Sequence, residues 1–266
     1  MSRTRIKRIL LVMADMLLAA YLFFAMTSFN TPTNADDVCV KVNIDVADKN
    51  TNGFLSAKEI KAILERERLY PLGMRMSQVS PRLIEEALRG SPFVKEAECC
   101  KTLDGHVSIT IMQQLPAVRI KSSDGDDYYI DERGGIMPNT DYTSDLIVAS
   151  GHITRRYAKL NLVHIANWLM ENDLWRNQIE QIYLRPDEGI ELVPRVGGHV
   201  IYIGQLPAIK KGDNRKDAIS RFMKGKMDRM EMFYKYGLTQ AGWNKYYEIN
   251  LEYDNQIICK KRPSAH

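Results

Sequence analysis

The sequence predicts an α+β protein: a single N-terminal transmembrane helix, a β-α-α-β-β domain, and then a mostly antiparallel β domain with flanking helices. Three observations support this fold class. A 21-residue apolar segment lies near the N-terminus, and a segment with one alternating strand, two capped helices and a hairpin follows it. Beyond that, short strands are interrupted by two amphipathic helices.

The apolar segment covers residues 9–29 and is predicted to span a membrane. At about 1.5 Å per residue a helix of this length is about 31 Å long, close to a hydrocarbon core of about 30 Å. Because basic residues remain on the cytoplasmic side, we expect a cytoplasmic tail of residues 1–8, a linker of residues 30–37 and an exported bulk. The flanking charges are Arg3, Arg5, Lys7 and Arg8 before the segment, and Asp36 and Asp37 after it.

Two questions about this segment stay open from the sequence. A cleaved signal peptide is the alternative to an anchor, because residues 16–26 alone have the length of a signal core. The full segment is too long for one, and no good small-x-small site follows it. Asp15 either reaches toward the cytoplasmic headgroups or contacts the transmembrane helix of a partner.

The charge distribution excludes a nucleic-acid-binding surface. The whole chain has a formal charge of +4, but residues 1–29 hold four Lys/Arg against one Asp, which is +3. The remainder has 33 Lys/Arg against 32 Asp/Glu, or +1, so no basic footprint is left. The cysteines also lack the spacing of a disulfide framework, with an adjacent pair and two distant singles: Cys39, Cys99, Cys100 and Cys259.

The first exported domain is predicted at residues 38–120. Residues 38–46 alternate as a half-buried strand, and Ser56 with Glu59 forms a capping box before a helix that runs to about Arg68. Ser80 followed by Pro81 starts a second helix, which ends before Pro92. Strands at residues 94–102 and 106–113 then flank an Asp-Gly hairpin signal.

The second domain is predicted at residues 126–262, after a polar break at residues 121–127. Its strands are expected at residues 128–130, 147–149, 179–185, 189–194 and 199–204, and its helices at about residues 157–171 and 214–236. A terminal hairpin at residues 246–253 and 256–261 completes the sheet, and residues 263–266 form a short tail.

One segment matches the EF-hand calcium loop at every specified position: Asp48, Asn50, Asn52, Gly53 and Glu59. An EF-hand needs an incoming helix, however, and the preceding residues alternate as a strand. A metal-free account covers the same residues, with a turn at Asn52-Gly53 and a capping box from Ser56 to Glu59. Weak calcium binding therefore stays open, and no metal site is assigned.

No catalytic constellation is present in the sequence. The five histidines lack the paired spacing of zinc sites, and neither a Gly-x-Ser-x-Gly elbow nor a phosphate-binding loop occurs. The sequence therefore predicts neither an enzyme nor a cofactor.

The order of these parts resembles the bacterial cell-division protein family FtsQ/DivIB, whose exported part is a POTRA domain followed by a β domain. Four phrases, in this order, carry the likeness: Gly90-Ser91-Pro92-Phe93-Val94 with Cys99-Cys100-Lys101, Gln113-Gln114-Leu115-Pro116-Ala117-Val118-Arg119, Tyr128-Tyr129-Ile130-Asp131-Glu132-Arg133-Gly134, and Tyr247-Glu248-Ile249-Asn250-Leu251-Glu252-Tyr253. The EF-hand-like loop is a departure from the family pattern.

The resemblance implies a non-catalytic scaffold of the divisome that recruits and holds other membrane proteins at the septum of the inner (plasma) membrane. It implies binding of the FtsB/FtsL coiled-coil pair to the end of the β domain, where an edge strand can accept another chain. The residues expected in this terminal edge strand are Tyr246, Tyr247, Ile249, Leu251, Tyr253 and Ile257. For the apolar ones, a core role and an interface role both stay open.

Three other functions compete with the scaffold: a membrane-anchored POTRA-type transport or chaperone binding module, a calcium-binding exported protein, and a periplasmic enzyme without a recognisable site. The POTRA arrangement also implies that the third strand lies between the first and second. Cys39 would then lie two strand spacings, about 9–10 Å, from Cys99 and Cys100. That distance exceeds disulfide reach, so we predict free thiols.

Overall fold

The structure is a computed structural model that describes residues 12–24, 37–47, 55–102, 104–140, 146–209 and 212–263. Residues 12–24 form helix α1. Within the described ranges, no helix is both long enough and apolar enough to cross a membrane. The two ends of the predicted anchor, residues 9–11 and 25–29, lie outside the described residues.

The small domain contains a three-stranded sheet in the order β1-β3-β2. β1 pairs with β3 in parallel, and β2 pairs with β3 in antiparallel fashion. This order confirms the predicted central position of the third strand. The elements are β1 (Lys41–Val46), α2 (Ala57–Arg66), α3 (Pro81–Arg89), β2 (Val94–Lys101) and β3 (His106–Gln113).

Local capping signals determine where the two helices of this domain begin. The Ser56 N–H donates to Glu59 Oε2 at 2.7 Å, and the Glu59 N–H donates to Ser56 Oγ at 3.3 Å, which completes the predicted capping box of α2. The Ser80 hydroxyl caps α3, with Pro81 in its first turn. Residues 48–54 of the calcium-like loop lie outside the described residues.

The large domain contains a nine-stranded sheet in the order β12-β11-β10-β9-β8-β7-β4-β5-β6. Five of the eight pairings between its described strands are antiparallel, as predicted. The strands are β4 (Pro116–Ser122), β5 (Asp127–Asp131), β6 (Ile136–Pro138), β7 (Val148–Gly151), β8 (Ile179–Leu184), β9 (Ile190–Pro194), β10 (Val200–Gly204), β11 (Tyr246–Asn250) and β12 (Ile258–Lys261).

Helices cover one face of this sheet, and the main core of the domain lies between them. Side chains of α5 and α7, such as Ile165 and Met223, are fully buried with sheet residues such as Ile182 and Ile201. Both long helices contain a π-helical segment, which the sequence reading missed. The elements are α4 (Arg155–Tyr157), π1 (Ala158–Leu162), α5 (Val163–Glu171), α6 (Asp173–Gln178), α7 (Arg215–Met232), π2 (Phe233–Leu238) and α8 (Thr239–Ala241).

The break between the two sheets lies earlier in the chain than predicted. β4, which the sequence reading placed at the end of the small domain, pairs with β5 and β7 of the large sheet. Its Val118 and Ile120 are buried in the core of the large domain. The two sheets are therefore separated at Gln114 and Leu115, not at residues 121–127, because β4 finds its hydrogen-bonding partners on the later side.

Candidate partner-binding edge

The large sheet ends at β12, which has a strand on one side only within the described part of the chain. β11, where most of the predicted edge residues lie, is not the edge strand. It pairs with β10 in parallel on one side and with β12 in antiparallel fashion on the other. The predicted hairpin is present, but its second strand, rather than its first, presents the free side of the sheet.

A β-bulge in β11 determines which of the predicted residues face outward. Ile249 lies opposite Cys259, but the register shifts between Tyr246 and Glu248, so that Tyr247 occupies the bulge. Tyr247 is exposed, whereas Ile249 is fully buried. The strict alternation expected from the sequence therefore fails at this point.

The other predicted residues divide between core and surface. Leu251 is fully buried, and its N–H donates to the Tyr202 oxygen at 2.8 Å. Tyr246 and Ile257 are half-buried against the core. Tyr253 is 51 % exposed. Of the six candidates, Tyr247 and Tyr253 are thus the surface residues, and Ile249 and Leu251 are core.

Two cationic side chains of α7 hold the turn of the hairpin. Lys226 is buried, and its Nζ donates to the Glu252 oxygen at 2.7 Å and to Asp254 Oδ1 at 3.1 Å. Arg229 Nη2 donates to the Leu251 oxygen at 3.0 Å. Hydrogen bonding to Lys226 also lowers the pKa of the Asp254 carboxyl. Three hydrogen bonds to backbone and side-chain oxygens therefore join the turn to the helix.

An apolar groove of about 570 Å³ lies between this helix and the hairpin. Tyr236 is 63 % exposed on its wall, and Met232 is also exposed. Ile257, which directly precedes β12, is part of the lining, so the groove adjoins the edge strand. The lining residues are Asp228, Arg229, Met232, Phe233, Tyr236, Gly237 and Ile257. Exposed apolar side chains gathered beside a groove are typical of protein interaction sites.

An ion pair fixes β12 to β11. Glu248 is buried, and its carboxylate accepts from Lys260 Nζ at 2.9 Å. This hydrogen bond raises the pKa of Lys260. Arg185 Nη2 lies 4.0 Å from the same carboxylate, and its guanidinium stacks 4.2 Å from the centre of the Tyr202 ring. The Lys260 charge is thus compensated within the sheet, whereas Lys261 is exposed beside it.

The direction of the backbone donors in β12 follows from one hydrogen bond. The Arg262 N–H donates to the Lys245 oxygen at 3.1 Å, on the β11 side. Because successive N–H groups of a strand point to opposite sides, those of Lys261 and Cys259 point away from β11. These two donors are therefore placed to bind an added strand.

The sequence reading missed four residues here: Met232 and Tyr236, which line the groove, and Lys226 and Arg229, which hold the hairpin turn. A lysine and an arginine in a long helix gave no signal, because their acceptors lie 22 to 28 residues later in the chain.

Within the described ranges, no group of three or more His, Cys, Asp and Glu side chains is arranged to hold a metal ion.

A three-stranded β-α-α-β-β domain followed by a large sheet with a C-terminal hairpin defines a two-domain class, a POTRA-like domain joined to a β domain. A family model of a POTRA-like domain matches residues 37–112. A second model, described as FtsQ/DivIB, C-terminal related, matches residues 115–260, more than half of the chain. The chain therefore belongs to the FtsQ/DivIB family, as its resemblance predicted, and this membership indicates a role in cell division. No match was found among curated proteins.

Proposed function

We propose that this protein is a non-catalytic, membrane-anchored scaffold that recruits other membrane proteins of the bacterial division complex and holds them at the septum. Family membership supports the division role. The observation that carries the scaffold proposal is the C-terminal edge, where β12 lacks a second neighbour among the described strands and adjoins an apolar groove. The proposed partner is the FtsB/FtsL coiled-coil pair.

The contact surface suits a partner that brings both a strand and a helix. A strand of the partner would accept hydrogen bonds from the N–H groups of Cys259 and Lys261, and so extend the sheet by one strand. An apolar helix face would cover Met232 and Tyr236 in the groove. Lys260 is compensated by Glu248, whereas Lys261 has no ion pair with the described residues, so acidic side chains on the incoming strand are favoured.

The anchor is part of the same proposal. Apolar side chains such as Leu17 and Phe24 on helix α1 are about 70 % exposed, which suits a lipid environment better than water. With four basic residues before it, the segment would orient the N-terminus toward the cytoplasm and the two domains toward the periplasm. The proposed location is the inner membrane at the division septum.

Replacement of Lys261 by proline tests the edge-strand contact directly. Proline removes the outward N–H but leaves the ladder between β12 and β11 intact. We expect Lys261→Pro to lose co-purification of FtsB and FtsL from detergent-solubilised membranes. Lys261→Ala removes the same side chain and keeps the N–H, so it is the matched control and should retain most of the binding.

Equal recovery of the partners with Lys261→Pro and Lys261→Ala would refute strand addition at β12. A deletion of residues 246–262 is a poor test, because it also removes Ile249 and Leu251 from the core. A fluorescent fusion of the full chain tests the location: a band at midcell supports the proposal, and uniform membrane staining contradicts it.

A further inference from the structure

The N-terminal segment and the large domain are connected to opposite ends of the small domain's sheet. Lys41, the first residue of β1, lies opposite His106, the first residue of β3, and Lys101, the last residue of β2, lies opposite Val107. These positions share one end of the sheet, which we call the entry end. The chain enters the domain here at Asp37, and because β3 is parallel to β1 it leaves at the far end, beyond Gln113.

Three exposed apolar side chains lie on two neighbouring backbone segments at the entry end. Cys39 is buried, and backbone hydrogen bonds join it to the segment that follows Leu72: the Cys39 N–H donates to Met74 O, and the Gly73 N–H donates to Cys39 O, both at 2.8 Å. Because side chains alternate along an extended segment, the residues on either side of Cys39 face outward. Val38, Val40 and Leu72 are 47 %, 61 % and 50 % exposed, and they form what we call the entry patch.

Cationic side chains accompany the entry patch. Arg75 forms an antiparallel bridge with Val38, so the two side chains lie on the same face. Lys41 follows Val40 directly, and Lys101 Nζ donates to the Met76 oxygen at 2.6 Å at the same end. Asp37 and Asp104 oppose these charges in part. Apolar side chains mixed with cations are the composition that binds to the surface of an anionic bilayer.

We propose that the entry patch docks onto the lipid surface of the membrane in which the protein is anchored. The inference rests on the anchor of the proposed function. Only residues 30–37 separate the predicted span from Val38, and eight residues extend at most about 29 Å. The tether therefore keeps the entry end near the bilayer, where a weak contact suffices because the local concentration is high.

Tryptophan reporters in the full chain test this contact. Val40→Trp and Leu72→Trp place a fluorophore in the entry patch, and Met112→Trp places one on an exposed position at the far end of β3. Each variant is reconstituted into vesicles of phosphatidylglycerol with brominated acyl chains, and the signal of the native Trp168, Trp175 and Trp243 is subtracted by means of the unmodified chain. We expect quenching at positions 40 and 72 to exceed that at 112 by about twofold or more.

Flotation of the vesicles separates the outcomes. If the protein floats with the vesicles but positions 40 and 72 are not quenched more than position 112, the docking proposal is overturned and the anchor stands. If the protein does not float, the anchor fails and the docking proposal fails with it. A photo-crosslink from position 40 to another membrane protein in cells, without quenching in vesicles, would assign the patch to a protein partner and also overturn the proposal.

Discussion

The buried ammonium group of Lys226 donates a 2.7 Å hydrogen bond to the backbone oxygen of Glu252, and thereby joins helix α7 to the turn of the C-terminal hairpin. The same group binds Asp254 Oδ1 at 3.1 Å. One side chain thus links the helical layer to the segment that presents both Tyr253 and the edge strand. Stability of the hairpin and accessibility of the proposed contact surface should therefore change together.

Lys226→Met should destabilise the protein by about 1–3 kcal/mol, because the Glu252 oxygen and the Asp254 carboxylate both lose a charged donor. Hydrogen exchange should accelerate first at residues 251–257. Lys224→Met is the matched control, since Lys224 is exposed and its ion pair within the described ranges is the surface pair with Asp228. A change of about 0.5 kcal/mol or less is expected for it. Equal effects of the two substitutions, measured by urea unfolding in detergent, would contradict the role of Lys226.

Stability should fall as the pH drops below about 6.5, and His199 should account for part of the slope. His199 is buried, its Nε2 lies 3.0 Å from the Tyr234 hydroxyl, and burial lowers its pKa, with Arg262 acting in the same direction. Because the folded-state pKa is depressed, the unfolded chain binds the proton first. The stabilisation that neutral His199 provides above its pKa in the unfolded chain is therefore lost as the pH falls through its pKa in the folded protein.

Two variants test this pH dependence: the single variant His199→Gln, and the double variant that also carries His164→Gln. Burial also lowers the pKa of His164, with Lys216 and Arg215 contributing, so His164 adds to the slope. Thermal unfolding between pH 7 and pH 5 should show a shallower slope for His199→Gln, and a still shallower one for the double variant. An unchanged slope in both variants would contradict the prediction.

Two glycine-to-alanine substitutions should have opposite signs. Gly151 lies in β7 with a φ of 104°, and a Cβ there would clash with the Leu184 oxygen of the neighbouring strand, so Gly151→Ala should destabilise by more than about 1 kcal/mol. Gly225 lies inside α7 with open space around its Cα. Gly225→Ala should stabilise by about 0.5–1 kcal/mol through helix propensity. Thermal unfolding measures both changes in stability. If both substitutions stabilise the protein or both destabilise it, the backbone conformation described for one of the two glycines is contradicted.

Alkylation should distinguish the four thiols. Burial raises the pKa of Cys99 to about 11 and also raises that of Cys259, so both are poor thiolates near neutral pH. Cys39 is buried, and Cys100 is exposed. Brief treatment of the native protein with iodoacetamide should therefore label Cys100 first, as read by mass spectrometry.

Non-reducing peptide mapping of the same sample checks the thiol state. We expect Cys39 to be unlinked to Cys99 and Cys100, in agreement with the strand order of the small domain. A disulfide between Cys39 and either residue would contradict both the strand order and the expected labelling pattern. Preferential labelling of Cys99 over Cys100 would contradict the burial of Cys99.

Local signals predicted the small domain well, and non-local pairing explains what was missed in the large one. The caps at Ser56 and Ser80 lie within one turn of the helices they start, so the sequence is enough to locate them. β4 also reads as a strand, but its assignment depends on pairs such as Ile120 with Ala149, which are 29 residues apart. These residues were therefore counted with the small domain, although the strand that they form belongs to the large sheet.

The C-terminal hairpin was predicted in position, but its edge strand and its register were not. Apolar alternation placed a hairpin at the C-terminus correctly, yet it could not reveal the bulge at Tyr247, because a bulge depends on the partner strand. For the same reason, the predicted edge at residues 246–260 did not separate the outer strand β12 from β11, which has neighbours on both sides. The contribution of α7 was invisible, since Lys226 reads as a solvated lysine until its distant acceptor is known.

The parallel pairing of β10 with β11 has a consequence for the order of synthesis. The chain must complete α7 before it returns to the sheet, so the hairpin that carries the proposed contact surface is synthesised after the other described elements. A chain interrupted before Tyr246 leaves β10, with its buried Ile201 and Ile203, as an open hydrophobic edge. A chain that includes β11 and β12 covers that edge, so we expect chains interrupted before Tyr246 to be more sensitive to proteases.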